Sequence, residues 1–298
     1  MSISATPSVL SYDVGGSHVS AAVCRAGDFA LGPIFSEHHA AAETFDAFVD
    51  LLGRLRQKAT AGEGAVMGAM LAVPGPFDLE AGRSLMRHKL PYLYALDLRG
   101  ALAGRLKVDA GQVRFLNDAH AYLLGEVGCG AARGFHRAAG FTLGTGIGSG
   151  FAVEGRLVTK GAGVPPGGEI WNVPYEGGIV EDYVSTRAIV ASYKRRSGVE
   201  RQVVDIAAAA PRDAAARAAF EEMGEQLGRI IRTKLAEFHP DVVVLGGGIA
   251  HAAELFLPAT QRELSGSPIQ LRVAELLDRA PLVGCGVAWF REQAVGAR

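Results

Sequence analysis

DVGGS at residues 13–17 and LGTGIGSG at residues 143–150 decide how this chain folds. Each follows a short apolar run with strand character, 9–14 in the first case and 141–144 in the second. Consecutive glycines expose backbone N–H groups with no side chain in the way, which suits them to holding phosphate oxygens. Asp13 leads the first turn, and Asn117-Asp118 precedes the second. Two such turns, each with an acidic neighbour, predict a cleft that closes on a nucleotide from both sides.

Outward from the first turn, residues 18–24 resume as a strand, so the glycines sit at a hairpin tip, and a third strand is expected near 29–36. Residues 43–58 carry Phe45, Phe48, Val49, Leu52 and Leu55 at the spacing of one helix face. A buried strand over 65–73 ends in Pro74-Gly75-Pro76. A helix over 96–106, a strand over 113–116 and a helix over 119–128 follow. Around the second turn the pattern is a hairpin, 141–144 with 150–153, then a glycine- and proline-rich loop over 161–178. The clearest helix, 214–238, is stopped by Pro240, and a buried strand over 241–245 ends in Gly246-Gly247-Gly248. Strand-strand-strand-helix-strand thus occurs twice, a topological repeat with no sequence identity beyond the glycine turns.

At 298 residues, 49% hydrophobic and 20% charged, the chain is globular and long enough for two lobes. A net charge of −1 leaves no footprint for nucleic acid, and the short basic runs 54–58 and 194–196 read as solvated helix faces. No apolar run reaches membrane-spanning length, and the N-terminus has no basic segment ahead of an apolar one, so the cytoplasm is the expected compartment. Cys24, Cys129 and Cys285 form no close pair and read as buried reduced thiols, with no zinc knuckle encoded. His120 and His136 lack carboxylates or cysteines at ligand spacing.

Asp13, at a strand end, can hold magnesium directly or through water, or it can satisfy turn amides itself; the second turn favours the metal. Asp118 can serve as a helix N-cap or as the base that takes a hydroxyl proton while a phosphoryl group arrives, and both readings stand at this level. Asn117 offers donor and acceptor to a sugar hydroxyl. Glu169 and Glu181 can accept from hydroxyls, or be a loop acid and a helix-start acid. Bare backbone at 246–248 can carry a purine, or simply make a tight turn.

In order along the chain, DVGGS, AVPGPFD (72–78), LNDAHAYLLGE (116–126), LGTGIGSG, GGE (167–169), VEDYVS (180–185) and VVLGGGIA (243–250) resemble the ROK family of bacterial sugar kinases and related repressors. The likeness runs from about residue 9 to about residue 290. It implies an α/β, two-lobed, actin-like (ribonuclease H-like) ATPase fold with sugar and ATP between the lobes. The lobes would be 1–117 plus 286–298 and 118–285, the final run 282–290 being a helix that returns to the first lobe.

By that match Asp118 would be the base. Gly75, Asn117, Asp118, Glu169, Asn172 and Glu181 would hold the sugar. Asp13 with magnesium, Gly15, Gly16, Ser17, Thr145 and Gly146 would meet the ATP phosphates, and Gly247 and Gly248 the adenosine. A homodimer is also implied. Three departures bear on the substrate. Trp171-Asn172 stands where glycine-histidine is common, and 176–180 stands where a zinc knuckle would lie, so no structural zinc is expected. Lys89 replaces an asparagine that contacts sugar.

The expected function is therefore ATP-dependent phosphorylation of a hexose, glucokinase-like, with no nucleic acid or membrane partner. A catalytically idle sugar-binding regulator is the alternative. A repressor would need a DNA-binding segment ahead of the first strand, and an actin-like or chaperone ATPase a longer chain.

Overall fold

The computed structural model describes residues 6–39, 44–87 and 90–296, the side chains of 293–296 excepted. Position 43, where the first helix is expected to start, and Lys89 lie outside the described residues. The chain divides into two compact units, 1–129 with 279–298, and 130–278.

The first unit is built on a five-stranded sheet in the order β3-β2-β1-β4-β5. Its strands are β1 (Ser8–Val14), β2 (His18–Arg25), β3 (Phe35–His38), β4 (Ala69–Val73) and β5 (Val113–Asn117). The first three are antiparallel, whereas β4 and β5 run parallel to β1. Helix α1 (Phe45–Ala59) starts at Thr44, whose hydroxyl accepts from the Ala47 amide at 3.2 Å. Phe48, Leu52 and Leu55, at helical spacing, are fully buried against the sheet, and Tyr12 donates its hydroxyl to the Leu52 carbonyl at 2.8 Å. Helix α2 (Leu98–Leu106) is capped by Asp97, and helix α3 (Asp118–Cys129) follows β5 directly.

In the second unit the sheet order is β8-β7-β6-β9-β10. The strands are β6 (Arg137–Leu143), β7 (Ile147–Val153), β8 (Arg156–Leu157), β9 (Val242–Gly246) and β10 (Gln270–Val273). Again the first three are antiparallel and the last two parallel to the first. The repeat suspected from sequence is thus a repeat of strand order and direction. Helices α4 (Thr186–Ser197), α5 (Val203–Ala209), α6 (Ala214–Lys234) and α7 (Ala253–Glu263) belong here. On α6 the stripe Phe220, Met223, Leu227 and Ile231 is buried, and Leu235 and Phe238 stay in the core after the helix has ended. The 161–178 segment also carries structure: a short hairpin, Pro174–Tyr175 with Gly178–Ile179. Its two-residue tip, Glu176 (φ 48°) and Gly177 (φ 84°), has the left-handed backbone of a tight hairpin turn.

Helix α8 (Ala280–Gly296) completes the first unit. Its seam with α3 is made of glycines. A Cβ on Gly284 would overlap the Ala121 carbonyl oxygen, and one on Gly125 would overlap the carbonyl oxygen of Ala280. Gly128 faces a Val287 methyl at 2.6 Å from where its own Cβ would stand. That backbone-to-backbone approach draws α3 and residues 279–285 into the first unit, whereas the sequence boundaries at 117/118 and 285/286 assign them to the second.

All three cysteines fall in this unit and none is in a disulfide, Cys24 and Cys285 being buried and Cys129 half-buried. Burial pushes the Cys24 thiol up to about 12, with the charges of Cys129 and Asp28 adding and Arg25 opposing. Because the folded value lies above the ordinary 9.0, the neutral thiol's contribution to stability is complete below pH 9 and is lost as pH rises towards 12. Thermal melts above pH 9 should therefore show Tm falling with pH. Cys24→Ala should flatten that slope, and an unchanged slope in the variant would assign the alkaline loss to other groups.

Candidate active site

Register brings three motifs to one end of the first sheet. Asp13 pairs with Ala72 across β1 and β4, and Val73 pairs with Asn117 across β4 and β5. The DVGGS turn, Gly75 and the Asn117-Asp118 pair therefore all lie at the carboxyl ends of parallel strands, the edge where α/β sheets bind ligands.

Within the DVGGS turn, Gly15 N donates to the His18 carbonyl at 2.9 Å, closing the hairpin. A Cβ on Gly16 would meet nothing within 4 Å among the described residues, and its φ is not left-handed, so neither strain nor crowding within the protein requires glycine there. Ser17 is exposed and bonds the His18 ring at 3.3 Å. Two residues that the sequence does not single out brace the turn. Buried His39 bonds the Gly15 carbonyl at 3.2 Å through Nε2, and the Tyr92 hydroxyl at 3.2 Å through Nδ1. Asp13 is half-buried, and after burial itself its charge is the next cause that raises the Cys285 thiol.

At the start of α3 the two candidate caps divide their work. Asn117 Oδ1 accepts from the Ala119 and His120 amides at 3.0 and 3.2 Å, the bonds of an N-cap. The Asn117 amide nitrogen takes no part in that cap. Asp118 Oδ1 accepts from the Ala119 amide at 2.8 Å, and the residue is half-buried. The capping explanation for Asp118 is thus met by its neighbour, and a helix start is a favourable place for a carboxylate.

The second unit assembles its own set. The 143–150 turn and Gly247 lie at the carboxyl ends of adjacent parallel strands, with Gly246 opposite Thr142. Gly247 has φ 80°, and a Cβ there would stand 2.5 Å from the Leu143 carbonyl oxygen, so only glycine fits. Gly248 faces open space and Thr145 is exposed. Glu181 Oε2 accepts from the Ile147 amide at 3.3 Å, and its carboxylate fills the place where a side chain on Gly146 would lie.

Beside it, Gly167 and Gly168 take left-handed φ values of 69° and 74°. Buried Ser149 then pins the loop, donating to the Gly168 carbonyl at 2.6 Å and accepting from the Ile170 amide at 2.9 Å. Half-buried Glu169 accepts from the Trp171 indole N–H at 3.0 Å, and the Trp171 carbonyl in turn accepts from the Glu181 amide at 3.1 Å. Asn172 is exposed next to them. The hairpin that follows is tied down by aromatics: Tyr183 donates to the Glu176 carbonyl at 2.6 Å, and Tyr175 to Gln226 at 2.6 Å. The two rings meet edge to face at 5.0 Å.

Among the described residues no group of three or more His, Cys, Asp and Glu side chains is arranged to hold a metal ion, and no helix is long and apolar enough to cross a membrane. A cavity of about 150 Å³ between α4 and α6, against Ser192, Glu222 and Met223, is lined by none of the candidate residues.

Gly146→Ala tests the Glu181 placement. The carboxylate must leave, because it is the flexible partner, and the bond to the Ile147 amide goes with it. A charge-assisted hydrogen bond contributes about 1.5–3 kcal/mol, so its loss should lower Tm measurably. An unaltered Tm would show that the Glu181 bond to the Ile147 amide adds nothing to the fold.

Comparison with known proteins gives a consistent set of relatives. A model of the ROK family matches residues 9–292. The glucokinase of Thermotoga maritima is 30% identical over 216 residues, 63% of this chain and 66% of that protein, so the alignment spans just under two thirds of its length. Among solved structures, a ROK hexokinase from Thermus thermophilus has a TM-score of 0.80 at 25% identity, covering 96% of this chain and 99% of that one. A ROK family glucokinase from Streptomyces griseus, in complex with glucose and AMPPNP, has a TM-score of 0.77 at 22% identity, covering 94% of this chain and 98% of that one.

Proposed function

The chain belongs to the ROK family, whose sugar kinases share its actin-like α/β fold, and from that premise we propose that it phosphorylates a hexose hydroxyl with ATP, Asp118 acting as general base. The observation that carries the reading is the division of labour at α3: Asn117 caps the helix, and Asp118 stands beside it at the strand ends that also bear DVGGS.

The residues fit ATP. Gly16 and Gly248 leave open space where side chains would stand, as a phosphate- or nucleoside-lined backbone requires. Asp13 gives one hard oxygen donor, in keeping with a magnesium ion held mostly by phosphates and water. ATP with magnesium supplies the transferable phosphoryl group.

The chain's own groups do the rest. The amides of Gly15, Gly16, Ser17, Thr145 and Gly146 donate to phosphate oxygens, and the backbone at Gly247 and Gly248 takes the adenosine. Gly75, the Asn117 amide, Glu169, Asn172 and Glu181 fix the sugar. Asp118 accepts the proton of the attacking hydroxyl as the new O–P bond forms and the terminal phosphorus parts from its bridging oxygen, so that ADP leaves; the carboxyl then releases the proton to solvent. The family resemblance extends the reading to a cytoplasmic homodimer without structural zinc.

A coupled ADP-release assay over glucose, mannose, fructose, allose and the N-acetylated hexosamines tests this. Turnover on at least one is expected. Sugar binding without turnover on any would instead identify a regulatory sugar-binding protein.

A further inference from the structure

We infer that His39 is the positioning residue of the DVGGS turn: it fixes the Gly15–Gly16 peptide so that the Gly16 N–H faces the nucleotide phosphates. The inference rests on the reading of that turn as a phosphate site. A peptide between two glycines is among the freest to rotate, because no Cβ hinders the torsion on either side of it. Rotated by half a turn, it would offer a phosphate its carbonyl oxygen instead of its N–H. Such a turn binds nucleotide only for the fraction of time that it stands the right way round.

His39 supplies the constraint from the end of β3. Its ring Nε2 donates to the Gly15 carbonyl at 3.2 Å, and its backbone N–H donates to the Ser17 carbonyl at 3.1 Å. One residue thus holds the turn at two points. In a planar trans peptide the carbonyl and the following N–H point opposite ways, so anchoring the Gly15 oxygen aims the Gly16 N–H away from His39. Among the described residues no backbone carbonyl accepts from that N–H, and a Cβ on Gly16 would meet nothing within 4 Å.

The ring is itself held. The Gly15 carbonyl can only accept, so the proton sits on Nε2, and Nδ1 of the neutral ring accepts from the Tyr92 hydroxyl at 3.2 Å. Burial raises the Tyr92 phenol above its ordinary value, so the hydroxyl keeps the proton it donates. Phe48, fully buried on α1, meets both rings, the imidazole edge to face at 6.5 Å and the Tyr92 ring at 6.0 Å. His39 is buried, with both ring nitrogens used inside the protein, so it acts on a ligand only through the turn.

The test compares the wild type with His39→Leu, which keeps the bulk and loses the donor, and with His39→Gln, whose side-chain amide nitrogen can take the place of Nε2. Calorimetry with a non-hydrolysable ATP analogue and magnesium should give a Kd raised about tenfold in the leucine variant, and within about threefold of wild type in the glutamine variant. KM for ATP should follow, while kcat at saturating ATP and KM for the sugar stay within about threefold of wild type. A merely structural role would lower the folded fraction without separating the two substrates. A Kd unmoved in folded His39→Leu, an equal rise in KM for the sugar, or no recovery in His39→Gln would each overturn the inference and leave the kinase reading in place.

A second readout needs no variant. In the wild type, NMR of the histidine ring nitrogens should find His39 protonated on Nε2, and the bound analogue should move the Gly16 amide proton. A proton on Nδ1 alone, or a Gly16 amide unmoved by bound analogue, would also overturn the inference. A wild type that binds no analogue would remove the phosphate reading of the turn, and the inference with it.

Discussion

Asp118→Asn should lower kcat by about a thousandfold, the scale on which a positioned general base contributes, while the melting curve stays with that of the wild type. The two halves of this expectation come from the same few atoms. Asn117 Oδ1 holds the free amides at the start of α3, so removing the charge at 118 leaves the cap in place. An asparagine at 118 can still accept from the Ala119 amide through its carbonyl oxygen. What it cannot do is take a proton. Loss of activity together with a loss of several degrees in Tm would mean that Asp118 holds the helix instead. Retained turnover in a folded variant would end its role as base.

The second large effect is on stability. Gly284→Ala would gain about 1 kcal/mol in helix propensity, since alanine is the better helix former. Against this, the new methyl group would overlap the Ala121 carbonyl oxygen, and a backbone atom inside a packed helix cannot step aside as a side chain can. Overpacking of this kind costs roughly 1–3 kcal/mol, occasionally more, and here the upper end or beyond applies because the nearest atoms the methyl would meet, in Ala121 and Gly125, belong to helix backbone. The net loss should be about 2–3 kcal/mol, a fall in Tm of roughly 5–10 °C for a unit of this size. Differential scanning calorimetry would read it directly. A Gly284→Ala variant as stable as the wild type would show that α3 and α8 can move apart without penalty.

Much of the scaffold is legible in the sequence because it is written in short-range patterns. The glycine turns, the apolar runs before them and the helical stripe from Phe220 to Ile231 all lie within a few residues of their own cause. Boundaries drift where the signal is shared. The strand expected over 29–36 is centred later, at Phe35–His38, and the one expected over 65–73 begins only at Ala69, because small and apolar residues precede both.

The candidate residues are legible as a set but not in their relations. Asn117 and Asp118 are equally good caps by type, and only the backbone geometry assigns the cap to the first. Glu181 lies against Gly146 and bonds the Ile147 amide across a separation of 34 residues, and His39 reaches Gly15 and Tyr92 across 24 and 53. No periodicity records such pairings. The bond from Trp171 to Glu169 spans only two residues, yet it depends on a loop pinned from β7 by Ser149.

The return of α8 to the first unit has a consequence for how the protein is made. During synthesis residues 130–278 emerge with every strand of their sheet already in hand, so that body can form while the ribosome is still extending the chain. The other body must wait: α3 stays without its glycine-lined partner until 280–296 have appeared. The half that would carry the proton acceptor is thereby the last to mature, and a nascent chain halted before that point would display sheet and helix surfaces with nothing yet laid over them.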